Sequence, residues 1–458
     1  MKIRLLSIAT ALALTVGHAQ AEDAQGYWRG SIANALPLTV QFNKAADGQW
    51  EATLSVPSQN LVTKVEKVIV TPEHIGFALP QLHASYAANW NEQEHAWTGT
   101  WDQGRSAPLN LKRISQEAAT PKRPQEAAIA ARTAPYTASE VSFDNTAAKV
   151  TLSGTLTVPA GKGPFPAVVL VHGSGSINRD GEVFGHKPFL VLADQLSRQG
   201  IAVLRYDKRG VSKSSGKLRD ATTLDLASDT EAALRFLRTR TDVDAKHIGI
   251  IGHSEGGLIA PLVASRDPAL AFIVMMAAPG VKGDRLLVEQ LALNARSRGV
   301  PEQAIAKERT MYQALFAAMV SESTLEGANR RAATILDEAE RTGELPAGGS
   351  KALLQRFGTA WFHALLRYDP APVLRAVHQP VLAINGERDL QVPANLDLPP
   401  IRSALQGNQR AEVKELPELN HLFQTAKTGA GSEYSNIEQT LAPAALDLIS
   451  AWIGATVR

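Results

Sequence analysis

The sequence predicts an α/β fold: a mostly parallel sheet with helices on both faces, carrying an inserted helical segment and preceded by a small all-β domain. Three observations predict it. From Tyr136 onward, short apolar runs alternate with amphipathic stretches, the pattern of strands buried on both faces by crossover helices. Between Met276 and Val381 lie about a hundred residues with almost no strand signal, far more than a simple β-α-β crossover needs. Residues 22–115 instead show short alternating runs, such as Leu36 to Phe42, separated by turn signals such as Ala46-Asp47-Gly48, which read as half-buried strands.

The first segment reads as a leader. Lys2 and Arg4 form a basic start, Leu5 to Val16 an apolar stretch, and Ala19-Gln20-Ala21 a small-residue cleavage site. This pattern predicts a secretory signal peptide over residues 1–21, removed before Glu22, and hence a periplasmic or extracellular protein. The apolar run is too short for a permanent bilayer anchor, so no stable membrane insertion is expected after cleavage. The chain has no cysteine, which excludes a cysteine lipid anchor, a thiol nucleophile and a cysteine-ligated metal. An exported chain without disulfides must rely on core burial, which this length permits. Without Lys2 and Arg4, the 47 basic residues become 45 and equal the 45 acidic ones. No basic block points to nucleic acid and no polybasic segment to anionic lipid.

Five of the seven tryptophans, Trp28, Trp50, Trp90, Trp97 and Trp101, fall in the all-β domain at 22–115. They could stack on sugars; filling the core of a small barrel or sandwich is the preferred reading. Residues 116–135 are rich in Ala, Pro, Lys and Glu and read as a linker, with helix formers from Gln125 to Arg132. The catalytic domain is expected over 136–458. An antiparallel pair, near Val141 to Phe143 and Val150 to Val158, should open it. Candidate strands follow at Ala167–Val171, Ile201–Tyr206, His247–Ile251, Phe272–Met276, Val381–Ile384 and Val413–Leu416, with helices at Phe189–Arg198, Leu224–Arg238 and Ile437–Trp452. Within it, a helical cap is expected over about 281–372, built from Gly283–Arg298, Glu302–Val320, Thr324–Arg341 and Lys351–Arg367. Insertions at the carboxyl edge of such a sheet usually border the site.

The chemistry is concentrated at the ends of these strands. Gly252-His253-Ser254-Glu255-Gly256-Gly257 follows an apolar strand and precedes a helix, the context of a nucleophile elbow. A serine nucleophile needs a base, an acid to orient that base, and donors for the oxyanion. Asp389 lies in the loop after Val381–Ile384, and His421 in the loop after Val413–Leu416. The order Ser254, Asp389, His421 is that of α/β-hydrolases, not of chymotrypsin or subtilisin types. Glu387 is an alternative acid, and His253 should pack beside the serine without serving as the base. One oxyanion donor should be the backbone N–H of Glu255. The other should come from His172-Gly173-Ser174-Gly175, with Ser174 preferred and Gly173 possible. Tyr206-Asp207-Lys208-Arg209 reads as a turn held by Asp207 and Arg209 in preference to a charged substrate clamp. No metal-spaced cluster, dinucleotide fingerprint or solenoid repeat is found, so no cofactor is expected.

The segments His172-Gly173-Ser174-Gly175, Leu204 to Gly210, Gly252 to Gly257, Asn385 to Asp389 and Asn420-His421 together resemble those of the bacterial α/β-hydrolases of the serine aminopeptidase and carboxylesterase type. The resemblance covers about Tyr136 to Arg458, and leaves out residues 22–115 and the detail of the cap. It implies hydrolysis of an ester, thioester or peptide through an acyl-serine. Carboxylic esters of small molecules are the first expectation. An exopeptidase would need acidic cap residues, for which Asp337, Glu338 and Glu340 are candidates, aimed at a free amine. A thioesterase on the same triad is a further alternative. A glycan-binding wall protein using the Trp-rich domain is the reading from another class.

Overall fold

The computed structural model describes residues 24–33, 36–59, 61–120 and 122–458. The leader expected over residues 1–21 lies outside them. The chain divides into two units, Met1–Thr120 and Pro121–Arg458.

Among its described residues the first unit holds nine strands: β1 (Gly26–Ile32), β2 (Leu36–Lys44), β3 (Trp50–Val56), β4 (Leu61–Lys64), β5 (Glu66–Val70), β6 (His74–Leu79), β7 (Ala84–Asn91), β8 (Ala96–Asp102) and β9 (Ser106–Ile114). They form one antiparallel sheet in the order β4-β3-β2-β1-β9-β8-β7-β6-β5. Its two outermost strands are consecutive in the chain, separated only by Val65, whose N–H donates to Ala52 O in β3 at 3.0 Å. The sheet therefore curls until its ends meet, which removes the exposed edges a flat sheet would present. Alternation fills the interior: Leu38, Val40 and Phe42 of β2 are buried, and the residues between them are not. Trp28, Trp97 and Trp101 are buried, and Trp50 and Trp90 pack partly buried against the same core. Trp28 meets Trp90 and Trp97 edge-on at centroid distances of 6.1 and 6.0 Å, an arrangement that aromatic quadrupoles favour. These rings serve the core.

The second unit contains β10 (Tyr136–Asn145), β11 (Val150–Pro159), β12 (Phe165–Val171), β13 (Ala202–Tyr206), β14 (Val243–His253), β15 (Phe272–Met276), β16 (Val381–Gly386) and β17 (Ala411–Leu416). The sheet order is β10-β11-β13-β12-β14-β15-β16-β17. The first two pairings are antiparallel and the remaining five parallel. The near-continuous apolar strands follow from burial on both faces. In β12, Ala167, Val169 and Val171 join one core with the helices Thr223–Arg238 and Glu255–Ala264. Val168 and Leu170 join the opposite core with Pro188–Arg198 and Pro443–Thr456. Parallel strands bring β12, β13, β14, β16 and β17 to a common carboxyl edge, where ligands bind in open α/β sheets.

Three expectations need correction. The helix expected over Ile437–Trp452 begins only at Pro443, because proline is suited to the first helical turn and not to its interior. The stretch Lys351–Arg367 is two helices, Gly349–Phe357 and Ala360–Arg367. Gly358 ends the first, and the Thr359 side chain accepts from Phe362 N to start the second. The second part of the expected linker is also no free tether. Pro124–Ala131 is helical, and the preceding Arg123 donates to the carbonyls of Phe184, Gly185, Ser435 and Ile437. Gln125 and Glu126 accept from the Thr440 N–H and hydroxyl respectively. These contacts satisfy loop carbonyls that would otherwise need water.

The helical insert comprises Gly283–Ser297, Glu302–Ser321, Leu325–Arg341, Gly349–Phe357, Ala360–Arg367 and Pro370–Arg375. It has its own core, centred on Phe316, Met319, Leu336, Phe357 and Phe362.

Because the buried core of the β-unit is drawn wholly from residues 24–111, a fragment spanning residues 22–120 is expected to fold alone. It should unfold in one cooperative transition, followed by tryptophan fluorescence. A fragment with fluorescence already at the unfolded position in buffer would contradict this.

Candidate active site

Ser254 stands between β14 and the helix Glu255–Ala264 at φ 55° and ψ −117°. A residue with a Cβ holds so sparsely populated a conformation at a cost of about 1–3 kcal/mol. Its surroundings hold it there. Ser254 N donates to Met276 O at 2.8 Å, and Ser254 O accepts from Gly257 N at 2.8 Å. Glycine is required on either side: a Cβ at Gly252 would lie 2.0 Å from Gly256 O, and one at Gly256 would lie 2.1 Å from Val171 O. Strand and helix can cross this closely only without those side chains.

Asp389 and His421 are brought together at the ends of neighbouring strands β16 and β17. His421 Nδ1 donates to Asp389 Oδ2 at 2.7 Å, which leaves Nε2 free to accept a proton. Both side chains are buried. The other carboxylate oxygen of Asp389 accepts from Gln391 N and Val392 N at 2.8 and 2.9 Å. Asn385 closes that loop by donating to Val392 O at 3.0 Å. In the next loop, Asn420 Oδ1 accepts from Leu422 N and Gln424 N, each at 3.0 Å. His421 thus sits in a backbone turn with its polar groups satisfied. Glu387 is turned elsewhere: its carboxylate accepts from Glu418 N at 2.8 Å.

Ser174, Ser254 and His421 line one cavity of about 190 Å³. Gly173 packs directly on the serine, since a Cβ there would lie 3.0 Å from Ser254 Cβ. Glu255 is the first residue of its helix, so its N–H has no intrahelical acceptor. The remaining walls are mostly apolar and include Ile177, Val183, Phe184, Phe189, Leu192 and Leu422. No described residue of the helical insert lines this cavity. The insert reaches the site through Trp361, whose Nε1 donates to Glu255 Oε1 at 2.7 Å. Asp337, Glu338 and Glu340 lie elsewhere. Asp337 accepts from Ser350 Oγ, Glu338 pairs with Arg341, and Glu340 accepts from Gly348 N and Ser350 N.

His253 packs beside His421 with ring centroids 4.8 Å apart, and its Nε2 donates to His421 O at 2.8 Å. Burial, reinforced by the neighbouring His421, lowers its pKa to about 3. It is therefore a neutral prop for the loop. Asp207 and Arg209 are structural. Asp207 receives the Arg179 guanidinium at 2.8 Å, and Arg209 is bound to Asp229 at 2.7 Å. What the sequence did not reveal is the surroundings of the Glu255 side chain, where Lys208, Thr223 and Trp361 converge. The only signal for Lys208 was its place in the charged turn after β13. Among the described residues no group of three or more His, Cys, Asp or Glu side chains is arranged to hold a metal ion.

The model of the alpha/beta hydrolase family matches residues 168–427, more than half of the chain. Esterase EstD of Thermotoga maritima is 32% identical over 276 residues, which span 59% of this chain and 58% of EstD. The match therefore covers little more than half the length of that relative. Among solved structures, an esterase of Pyrococcus furiosus is 17% identical with a TM-score of 0.44, covering 70% of this chain and 91% of its own. Est1E of Butyrivibrio proteoclasticus, with ferulic acid bound, is 16% identical with a TM-score of 0.40, covering 69% and 97%.

Acid should destabilise this region. Burial lowers the pKa of His172 and His253 to about 3 and that of His186 to about 4, whereas an unfolded histidine titrates near about 6.5. The unfolded chain then takes up protons that the folded chain refuses. Stability is complete above about pH 6.5 and falls as the pH drops from about 6.5 toward about 3. Urea midpoints at pH 7 and pH 5 should show this decline, and His253→Gln should make it shallower. An equal decline in that variant would remove His253 from the cause.

Proposed function

The chain belongs to the alpha/beta hydrolase family, and from that premise we propose that it is an exported serine esterase acting on small carboxylic esters. The observation that carries the reading is His421, bonded to the buried Asp389 at 2.7 Å and lining the same cavity as the elbow serine. His421 Nε2 takes the Ser254 proton as Ser254 Oγ attacks the ester carbonyl. The carbonyl π electrons move to oxygen, where the Ser174 and Glu255 amides receive the charge. The protonated His421 then gives its proton to the departing alcohol, leaving an acyl-serine. Water, deprotonated by His421, attacks that ester and releases the acid and free Ser254. Asp389 holds the imidazole in one tautomer and stabilises its cation.

The apolar walls suit an acyl group without charge. Drug-sized ligands occupy roughly 300–1,000 Å³, and this cavity is smaller at about 190 Å³, so a short acyl chain is the preferred substrate. The name of the EstD relative agrees with ester cleavage. Asp337, Glu338 and Glu340, the acidic candidates for binding a free amine, are engaged by Arg341, Ser350 and backbone amides, and so give an exopeptidase reading no support. Burial of Trp28, Trp97 and Trp101, with Trp50 and Trp90 packed partly buried against the same core, favours a structural role for these rings over glycan stacking. Export rests on the leader pattern of residues 1–21; a mature N-terminus at Glu22, read by mass spectrometry of the protein purified from its native host, would support it.

A fluorophosphonate should form one adduct per chain, at Ser254, and none in Ser254→Ala. His421→Ala should lower kcat by roughly four orders of magnitude and Asp389→Asn by a similar extent, with Glu387→Gln nearly unaffected. Labelling at a different serine, or a larger loss from Glu387→Gln than from Asp389→Asn, would overturn the assignment.

With p-nitrophenyl esters of increasing acyl length, kcat/KM should peak at short chains. Phe184→Ala should move the peak to longer ones. A peak that stays in place in the folded variant would mean that Phe184 does not bound the acyl site.

A further inference from the structure

Lys208 and Glu255 form an ion pair with Nζ–Oε2 of 3.6 Å, and their side chains are only 4% and 3% exposed. Burying both charges is costly unless further bonds satisfy them. Those bonds lead to the oxyanion site. Lys208 Nζ donates to Gly173 O at 2.8 Å. The Gly173 carbonyl and the Ser174 N–H belong to one planar trans peptide unit, so they point in opposite directions. An ammonium fixed on the carbonyl side aims the N–H away from itself. It also polarises the peptide, which strengthens that N–H as a donor. Glu255, the other member of the pair, carries the second proposed donor on its own backbone. Its Oε1 accepts from Thr223 Oγ1 at 2.8 Å and from Trp361 Nε1 at 2.7 Å.

The three segments involved follow adjacent strands. Lys208 follows β13, Gly173 and Ser174 follow β12, and Ser254 and Glu255 follow β14, in the sheet order β13-β12-β14. Each loop could otherwise shift independently. We propose that the buried Lys208–Glu255 pair is the positioning device of the oxyanion site, locking the Ser174 and Glu255 amides into one register, and that Trp361 ties the helical insert to that register. Lys208 does not line the cavity; it acts through the Gly173–Ser174 peptide. The inference rests on the serine-esterase reading above.

The test separates ground-state from transition-state binding. Lys208→Met should lower kcat for a short p-nitrophenyl ester by roughly 10²-fold. KM should change by less than about threefold, because the acyl walls are untouched. The affinity for a trifluoromethyl ketone, which forms a tetrahedral oxyanion on the serine, should fall in step with kcat/KM. Lys208→Met leaves Glu255 buried without its cation and can fail to fold. The double variant Lys208→Met with Glu255→Gln removes both charges and decides the matter in that event: it should remain as slow as the single variant is expected to be. Trp361→Phe should cost a smaller part of kcat, again with KM nearly unchanged.

A folded Lys208→Met enzyme with kcat within about threefold of wild type would overturn the inference and leave the esterase reading standing. Recovery of wild-type kcat in the double variant would overturn it too, since Lys208 would then serve only to neutralise Glu255. Wild-type protein that neither hydrolyses esters nor takes up fluorophosphonate would sink both.

Discussion

Ser254 is held at φ 55° and ψ −117°, and the surrounding structure must supply the energy to keep it there. That requirement propagates outward. The turn needs glycine at 252 and 256, because a Cβ at either would fall about 2 Å from a backbone oxygen. It needs the carbonyl of Met276 in β15 and the amide of Gly257 as hydrogen-bond partners. Those in turn need β14 and β15 paired in register, with Gly252 opposite Met275 and His253 opposite Met276. The two apolar cores on either face of the sheet are what make that pairing rigid. Strain of a few kcal/mol persists only where such a framework over-determines the backbone.

The same sheet converts sequence order into proximity. Ser254, Asp389 and His421 are separated by long stretches of chain, yet each follows the carboxyl end of a parallel strand. Parallel strands lie about 4.8 Å apart, so the loops of β12, β14, β16 and β17 are neighbours whatever intervenes. This is why an insert of helices between β15 and β16 is tolerated: it leaves from one strand end and returns to the next. Its own core keeps it folded without drawing on the sheet, and its Trp361 side chain donates to Glu255, the residue after Ser254.

Polar burial around the site is consistent with a centre built for charge that appears only briefly. Asp389 is buried and accepts three hydrogen bonds, which hold its carboxylate in one orientation. His253 is kept neutral by burial and by the adjacent His421, so it adds no charge beside His421. Lys208 has its pKa lowered by burial while Glu255 acts in the opposite sense, and the Gly173 carbonyl gives the ammonium a further partner.

The strands of the hydrolase unit, the glycines around Ser254, and the placement of Ser254, Asp389 and His421 after strand ends were legible in the residues alone. These features are local. A strand buried on both faces must be apolar through several consecutive residues, as β12 to β16 are, and a strained turn must carry its glycines at fixed offsets. Helix ends were less legible where a capping residue or a proline decided them, as at Thr359 and Pro443. Long-range packing was needed to show that the linker helix is bound to the loops at 184–185 and 435–441, that Trp28, Trp97 and Trp101 are buried, and that the cavity is walled by the loop after β12 and not by the insert. It alone joined Lys208, Gly173, Glu255 and Trp361. Such contacts are made by single side chains from elements far apart in sequence, and each residue type is ordinary in its own local setting. No periodicity or spacing encodes them; they exist only once the strands have brought their ends together.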